Sequence, residues 1–123
     1  HSWLALLAAG YQVVGLDDFS NSSPRVLDRL ASLSGQSPVF ERADINDAAA
    51  LDKVFAHHTI AAVVHFAAFK AVGESVAQPL RYYRNNVGGT ISLLQAMRAA
   101  AVSTQLMTRP LWPLAWWSRS RSR

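Results

Sequence analysis

The sequence predicts an α/β fold built on a partial, doubly wound parallel sheet, with three to four strands, flanking helices and an irregular C-terminal tail. Apolar runs of strand length alternate along the chain with segments of helical periodicity, which is the pattern of β/α units on a parallel sheet. The run IAAVVHFAA is apolar almost throughout, as expected of a strand buried on both faces. After Val102 the composition changes abruptly, which sets the tail apart.

The predicted elements follow one another from the N-terminus. SWLALLAA is rich in alanine and leucine and stops at Gly10, which predicts a helix before the strand YQVVGL. NSSPRVLDRLASLSG places Pro24 in a first helical turn and ends at Gly35, which predicts a second helix before the strand PVFER. DINDAAALDKVFAHH opens a third helix with Asp47 as a candidate cap. A long helix, QPLRYYRNNVGGTISLLQAMRAAAV, is predicted to begin near Pro79.

Length and composition restrict the class of protein. The chain has 123 residues, half of them apolar, which is enough for one domain with a core. The absence of cysteine excludes disulfides and thiolate metal sites and fits a cytoplasmic protein. No stretch approaches the roughly 20 apolar residues of a membrane span, and the N-terminal residues lack the order of a signal peptide. We therefore expect a cytoplasmic location and no membrane partner.

The net charge of +4 belongs to the end of the chain. All eight acidic residues and eight of the twelve basic residues lie within 1–102, where they balance. The excess comes from four arginines: Arg109, Arg119, Arg121 and Arg123. Three of the four tryptophans lie in the same segment. The sequence therefore predicts one domain at 1–102 and a divergent tail at 103–123.

The tail is open to two interpretations. Pro110 and Pro113 disfavour a central strand, so we expect it to be irregular. Its abrupt change in composition favours a segment foreign to the domain, from a shifted reading frame, a misjoined gene fragment or a cloning boundary. Its arginines and tryptophans would also permit nucleic-acid binding, which we regard as the weaker alternative.

Candidate binding residues lie where the predicted strands end, because ligands of doubly wound sheets lie beyond the carboxyl ends of the strands. Asp17 stands where an acid accepts hydrogen bonds from an adenosine ribose, and its charge favours NAD over NADP. Asp44 could accept from the adenine amino group, with the backbone of Ile45 beside the ring. Alternatively, Asp17 and Asp18 merely start a turn, and Asp44 forms a cap or Asx-turn before the third helix.

The segment HFAAFKAVGES follows the third strand and adds a different kind of candidate. Ala67 and Ala68 allow a ligand to approach the backbone closely, and Lys70 brings a mobile cation suited to a pyrophosphate. A solvated loop lysine is the alternative. Only two lysines occur in the chain, and this one interrupts an apolar stretch.

Histidines do not suggest a metal centre. His65 fits best as a strand residue, whereas His57 and His58 lie at the end of a separate predicted helix. This arrangement offers no metal-ligand spacing. We therefore expect no bound metal.

Five segments together point to a known family. LDDFSNSS, ADIND, HFAAFKAVGES, QPLRYYRNNVGGT and LLQAMRAA stand in an order and spacing that resembles the N-terminal half of UDP-glucose 4-epimerase, of the extended short-chain dehydrogenase/reductase superfamily. The resemblance covers residues 1 to about 102, and KAVGES is its most specific part. It implies a Rossmann-like, NAD-binding fold in an isomerase that interconverts UDP-glucose and UDP-galactose by transient oxidation at C4. For the full-length relative it also implies a UDP-sugar substrate, a homodimer and a role in galactose metabolism.

The resemblance also implies which residues meet the cofactor. On the adenosine side they are Asp17, Asp18, Asn21, Ser22, Asp44 and Ile45. Along the middle of NAD and its phosphates they are Phe66, Ala67, Ala68, Lys70 and Asn85. Asp17 would hold the ribose within the turn, and Asp44 with Ile45 would receive the adenine. Ala68 replaces a glycine of many family members, a small change that still allows close approach.

The family's catalytic pair has no counterpart in this sequence. The family uses a tyrosine followed four residues later by a lysine as its general base. Here Ala49 precedes Lys53 at that spacing and Phe66 precedes Lys70. We therefore expect no catalytic residue in this chain and no activity of the chain alone.

The resemblance begins after the family's usual glycine-rich phosphate loop, and none of the six glycines recreates that loop. In the doubly wound order the first strand is central. Without it, YQVVGL and PVFER are predicted to have no strand that joins them to IAAVVHFAA, which leaves open edges. The sequence thus predicts an incomplete NAD-binding half of an epimerase. The alternatives are another nucleotide-sugar epimerase or dehydratase of the same superfamily and a non-catalytic binding remnant.

Overall fold

The structure is a computed structural model that describes residues 1–102 and the backbone of residues 104–108. Its strands are β1 (Val14–Asp17), β2 (Val39–Arg42), β3 (Ala62–His65) and β4 (Thr104–Thr108). Its helices are α1 (Ser2–Ala8), α2 (Arg25–Ser34), α3 (Ala48–His57), α4 (Val72–Ala77), α5 (Pro79–Tyr83) and α6 (Gly89–Ala99). A π-helical turn, Arg84–Gly88, joins α5 to α6. The alternation of helices with short parallel strands confirms the predicted α/β class.

The four strands form two separate parallel pairs. β1 pairs with β2 in a register that matches Val14 with Val39 and Asp17 with Arg42. β3 pairs with β4 and matches His65 with Thr108, with an irregularity between Ala62 and Val64. Within the described ranges no strand joins the two pairs, which confirms the open edges expected from the sequence.

The beginning of the tail differs from the prediction. We expected irregular structure from Ser103 onwards, and this is wrong for Thr104–Thr108, which form β4 beside β3. Pro110 and Pro113 follow the last residue of β4, so neither proline removes an N–H group from the paired segment. The rest of the tail, 109–123, and with it the hypothesis of nucleic-acid binding, lies outside the described residues.

Local signals in the sequence define several helix ends. The side chain of Asp47 accepts a hydrogen bond from the N–H of Ala50 at 3.0 Å, which confirms the predicted cap of α3. Gly35 ends α2 with a φ of 71°, a left-handed conformation that glycine adopts without a steric penalty. The predicted long helix begins at Pro79 as expected.

A small apolar core holds the helices around the sheet formed by β3 and β4. Buried Ile45, Leu93 and Met97 pack together, with the partly buried side chains Phe55, Val63 and Val102 against them. α6 comes very close to the loop after β2, since a Cβ added at Gly89 would stand 2.6 Å from Cγ2 of Ile45. The loop that carries Asp44 and the helix that carries Asn85 are thereby held together.

Candidate functional site

A turn after β1 presents the first acidic residue. Oδ1 of Asp17 accepts hydrogen bonds from the N–H of Phe19 at 2.7 Å and from the hydroxyl of Ser22 at 3.0 Å. Asp18 accepts one from the N–H of Ser20 at 2.8 Å. Both acids therefore stabilise the turn, as the alternative interpretation expected. The turn also holds the Asp17 carboxylate at the carboxyl end of β1, where a ligand of this fold would lie.

Phe19 attaches this turn to the neighbouring strand. Its φ is 60°, which is uncommon for a residue with a side chain. Its ring stacks on Phe40 of β2 with 5.0 Å between centroids, and the guanidinium of Arg42 lies 5.9 Å from the ring centre. These contacts offset the backbone strain and fix the turn against β2.

A second polar cluster lies beyond β2. Oδ1 of Asp44 accepts from the backbone N–H of Asn46 at 2.8 Å and from its side-chain Nδ2 at 3.0 Å. The same Nδ2 lies 3.4 Å from Oδ1 of Asn85, in the π-helical turn. Ile45 between the two polar residues is buried. Its side chain belongs to the core, so its backbone is the part that could meet a ligand.

The segment from Phe66 to Lys70 follows β3. Phe66, Ala67 and Lys70 are exposed, whereas Ala68 and Phe69 are half-buried. Residues 67 and 68 are both alanine, so their own side chains are small. A lysine at the mouth of a parallel sheet is suited to an anion.

A compact group of side chains attaches this segment to α5. Glu74 accepts from the guanidinium of Arg81, and from the hydroxyl of Tyr82 at 2.8 Å. The Phe69 ring lies 4.8 Å from the Arg81 guanidinium and 5.5 Å from the Tyr82 ring. Burial raises the pKa of Tyr82, and the hydrogen bond to Glu74 and the charge of Glu74 raise it further.

His65 is a buried residue at the end of β3, which confirms its interpretation as a strand residue. Its Nε2 lies 3.1 Å from Oγ1 of Thr90, whose hydroxyl donates to the carbonyl of Asn86 at 2.6 Å. Because Thr90 has a single hydroxyl proton, Nε2 of His65 must be the donor in their contact. Burial lowers the pKa of His65, so the neutral form is favoured.

The described residues contain neither a metal-binding cluster nor a membrane-spanning helix. Within the part of the chain that is described, no three histidine or acidic side chains are grouped so that they could hold a metal ion. None of the described helices has the length and apolar character needed to cross a membrane. Of the other histidines, His58 contacts Glu41, with 2.7 Å between Nε2 and Oε1.

The structure groups some of the predicted residues and leaves others apart. Asp44 is linked to Asn85 through Asn46. No described hydrogen bond connects the turn at Asp17 with this cluster, and Asn21 is exposed on that turn. Sequence reasoning missed Asn46 and the asparagine at position 86. The signal for Asn86 was its place beside Asn85 within the predicted long helix, an unfavourable setting for this residue type.

Adjacent parallel strands connected through a helix, with acids at or just after their carboxyl ends, define a Rossmann-like α/β protein. Residues 1–109 match the family described as GDP-mannose 4,6 dehydratase, and the chain belongs to that family. The match extends past the boundary that the composition predicts near Ser103.

Two similar curated proteins are UDP-glucose 4-epimerases. The chain is 51% identical over 108 residues to UDP-glucose 4-epimerase of Yersinia pestis, an alignment that covers 88% of this chain and 32% of the relative. It is 49% identical over 102 residues to UDP-glucose 4-epimerase of Bacillus subtilis, covering 83% and 30% of the two chains. The chain thus spans about a third of the length of the curated relatives it matches.

Solved structures give the same relationship. The fold is similar to UDP-glucose 4-epimerase of Bifidobacterium longum in complex with NAD+ and UDP, with a TM-score of 0.77 and 42% identity. It is equally similar to the enzyme of Stenotrophomonas maltophila with bound NAD and formylated UDP-arabinopyranose, with a TM-score of 0.77 and 42% identity. Each comparison covers 80% of this chain and 30% of the solved chain. The resemblance seen in the sequence to an N-terminal epimerase segment is therefore confirmed.

Proposed function

We propose that residues 1–102 form the adenosine-binding part of an NAD site in a UDP-glucose 4-epimerase. The observation that carries the proposal is the placement of Asp17 and Asp44. Asp17 is the last residue of β1 and is in register with Arg42 of β2, two positions before Asp44. Both carboxylates therefore lie at one edge of one sheet, where a nucleotide would lie across the strand ends.

The chemistry of these residues fits the parts of NAD. Both hydrogen bonds within the turn engage Oδ1 of Asp17, so Oδ2 is the oxygen for the ribose hydroxyls. Asp18, Asn21 and Ser22 complete the turn around that ribose. The remaining carboxylate oxygen of Asp44 would accept from the adenine amino group beside the backbone of Ile45.

The remaining proposed contacts come from the segment after β3 and from the π-helical turn. Phe66, Ala67 and Ala68 would lie along the middle of the cofactor, where the small side chains of the two alanines leave the backbone accessible. Lys70 would neutralise phosphate charge, and Asn85 would contribute its amide from the π-helical turn. This assignment rests on the family and on the position of each residue after β3 or within the helix.

The proposed reaction is the interconversion of UDP-glucose and UDP-galactose. Bound NAD would supply reversible hydride transfer at C4 of the hexose. No tyrosine stands four residues before Lys53 or Lys70, so the residues of this chain would bind and orient the cofactor and would not supply the general base. We therefore propose that the chain alone does not catalyse the reaction.

Calorimetric titration of the 123-residue chain with NAD and NADP tests the binding part of the proposal. We expect NAD to bind more tightly, because the carboxylate of Asp17 would repel the 2′-phosphate of NADP. Binding of neither dinucleotide, or tighter binding of NADP, would contradict it. An assay with UDP-galactose and added NAD should give no UDP-glucose, and sustained turnover would refute the proposed absence of a catalytic base.

A dehydratase of the same family is the second candidate, because the family's description names GDP-mannose 4,6 dehydratase. The run KAVGES, Lys70–Ser75, and relatives near 50% identity named UDP-glucose 4-epimerase support the epimerase instead. A longer polypeptide containing this sequence would distinguish them, since an epimerase would act on UDP-galactose and a dehydratase would release a 4-keto-6-deoxy sugar from its nucleotide-hexose.

We also propose that the complete protein is a cytoplasmic homodimer. The α5–α6 helix exposes apolar residues at intervals of three and four positions, an arrangement that places them on one helical face. They are Leu80, Tyr83, Val87, Ile91 and Leu94, with exposed fractions from 45% to 82%. An apolar stripe of this length is a liability on an isolated chain, and pairing with the same stripe of a second copy would bury it.

A further inference from the structure

Asn86 holds the backbone of Phe69 through the oxygen and the nitrogen of its side-chain amide. Its Oδ1 accepts a hydrogen bond from the N–H of Phe69 at 2.8 Å, and its Nδ2 donates to the carbonyl of Phe69 at 3.0 Å. The two residues are 17 positions apart in the chain. A side chain that pairs with both the N–H and the C=O of one residue acts as a strand partner would, so it fixes the position and orientation of the backbone there.

Phe69 lies within the segment from Phe66 to Lys70 that follows β3. The ring of Phe69 is itself held by Arg81 and Tyr82 of α5. Backbone and ring are thus attached to the same helix, whereas the flanking residues Ala67 and Lys70 are exposed. Phe69 is the point through which the helix determines where this segment lies.

Asn86 is also connected to the adenine side of the proposed site. Its Oδ1 accepts a second hydrogen bond, from Nδ2 of Asn85 at 3.0 Å. Oδ1 of Asn85 lies 3.4 Å from Nδ2 of Asn46, which donates to Asp44 at 3.0 Å. A continuous chain of amides therefore runs from the acid after β2 to the peptide after β3. The two sheets share no strand pairing among the described residues, so this chain connects the two strand ends through side chains.

Adjacent asparagines of the π-helical turn contact two different parts of the proposed site. In any helix, consecutive side chains point in different directions, by about 100° in the regular form. Within Arg84–Gly88, Asn85 contacts Asn46 and Asn86 contacts Phe69. Such turns are frequent at functional sites.

We propose that Asn86 is a positioning residue of the NAD site. It sets the segment 67–70 at a fixed distance from Asp44 and so aligns the phosphate side of the site with the adenine side. It acts through the peptide of Phe69 and not by contact with the cofactor. The inference rests on the proposed function, since it assigns a role within the same site.

The test compares NAD with AMP, which carries only the adenosine half and one phosphate. In the full chain, Asn86→Ala should weaken NAD binding about tenfold, the order expected when a pair of hydrogen bonds is lost, and should leave AMP binding unchanged. Gln95→Ala is the matched control, because it removes an exposed amide from the same helix. Alanine is a better helix former than asparagine, so the variant should fold; Asn86→Ser provides a second variant.

Hydrogen exchange of the Phe69 amide gives an independent measurement. It should accelerate at least about tenfold in Asn86→Ala and not in Gln95→Ala. Equal losses of NAD and AMP affinity would indicate a general structural role and overturn the inference, as would unchanged exchange or unchanged NAD affinity. Failure of the unaltered chain to bind either nucleotide would instead refute the proposed function, and this inference with it.

Discussion

Asp17 illustrates how a residue can stabilise a turn and remain suited to a ligand. Its Oδ1 is engaged by Phe19 and Ser22, which fixes the carboxylate without using its second oxygen among the described residues. From the sequence alone, turn formation and ribose binding are competing interpretations of Asp17. The geometry makes them compatible, because a carboxylate can accept several hydrogen bonds at once.

Asp17→Asn should separate charge from geometry. The amide oxygen can still accept from the N–H of Phe19, so folding should be retained, but the charge that favours NAD over NADP is lost. We expect NAD affinity to fall by about tenfold or more, the range for a hydrogen bond to a charged group, and the preference over NADP to shrink. Calorimetry with both dinucleotides measures this. Asp52→Asn, an exposed acid on α3, is the control, and equal effects of the two variants would contradict the assignment.

His65 should make stability depend on pH. Burial in the folded chain lowers the pKa of His65 below its ordinary value of 6.5. As the pH falls, the unfolded chain therefore binds a proton before the folded chain does. The contribution to stability is therefore fully present above about pH 6.5 and is lost as the pH falls through the lower, folded pKa. Thermal unfolding between pH 8 and pH 5 should show a smaller loss in His65→Gln than in the parent. His57→Gln, at an exposed position, should behave like the parent; identical profiles for all three chains would count against this effect.

At the level of elements, the helix from Pro79 to Ala99 organises the site. One end holds the segment after β3 through Arg81 and Tyr82, and the π-helical turn carries Asn85 and its neighbour. The other end packs into the core through Leu93 and Met97. A single element therefore ties the proposed cofactor contacts to the buried part of the molecule.

Two adjacent glycines allow a test of how closely this helix approaches the loop after β2. A Cβ at Gly89 would stand 2.6 Å from Cγ2 of buried Ile45, whereas a Cβ at Gly88 would stand 3.7 Å from Oδ1 of Asn46. Both replacements by alanine gain helix propensity, about 1 kcal/mol. Gly88→Ala should therefore be neutral or stabilising, and Gly89→Ala should be less stable than Gly88→Ala by about 1–3 kcal/mol because of overpacking. Urea unfolding measures the difference, and equal stabilities would show that the helix is not tightly packed there.

At the scale of the whole molecule, the two strand pairs are held together by helices and side chains. The core around Ile45 and the amide chain to Asn86 connect elements that share no strand pairing within the described residues. Parallel strands derive much of their stability from burial on both faces. The exposed fractions of Val39 and Val64, 51% and 41%, show that burial here is incomplete.

The apolar stripe on α5–α6 provides a prediction at this scale. Leu80→Glu combined with Ile91→Glu should convert a dimer into a monomer, because paired charges within an apolar contact are costly to desolvate. Light scattering coupled to size exclusion measures the mass. Leu33→Glu replaces an exposed leucine of α2 and should leave the dimer intact. A complete protein that is monomeric at every concentration would refute a homodimer formed by this stripe.

Periodicity and capping residues were sufficient to predict most of the elements. Pro79 and Asp47 begin their helices where the sequence placed them, because caps and prolines act through adjacent backbone groups. The strand Thr104–Thr108 was missed because a shift in composition dominated the interpretation, although the prolines lie beyond it. The amide chain through Asn46 and Asn86 was missed because it joins residues up to 39 positions apart.

The sequence by itself determined the α/β class, the helix ends, the acids after the first two strands and the family resemblance, since all of these depend on local pattern and residue order. Only the tertiary structure decided that Thr104–Thr108 pair with β3, that a π-helical turn interrupts the long helix, and that Asn86 holds the backbone of Phe69. These features arise from contacts between distant residues, whose partners are selected by packing and hydrogen-bond geometry in three dimensions and not by neighbouring residues in the chain.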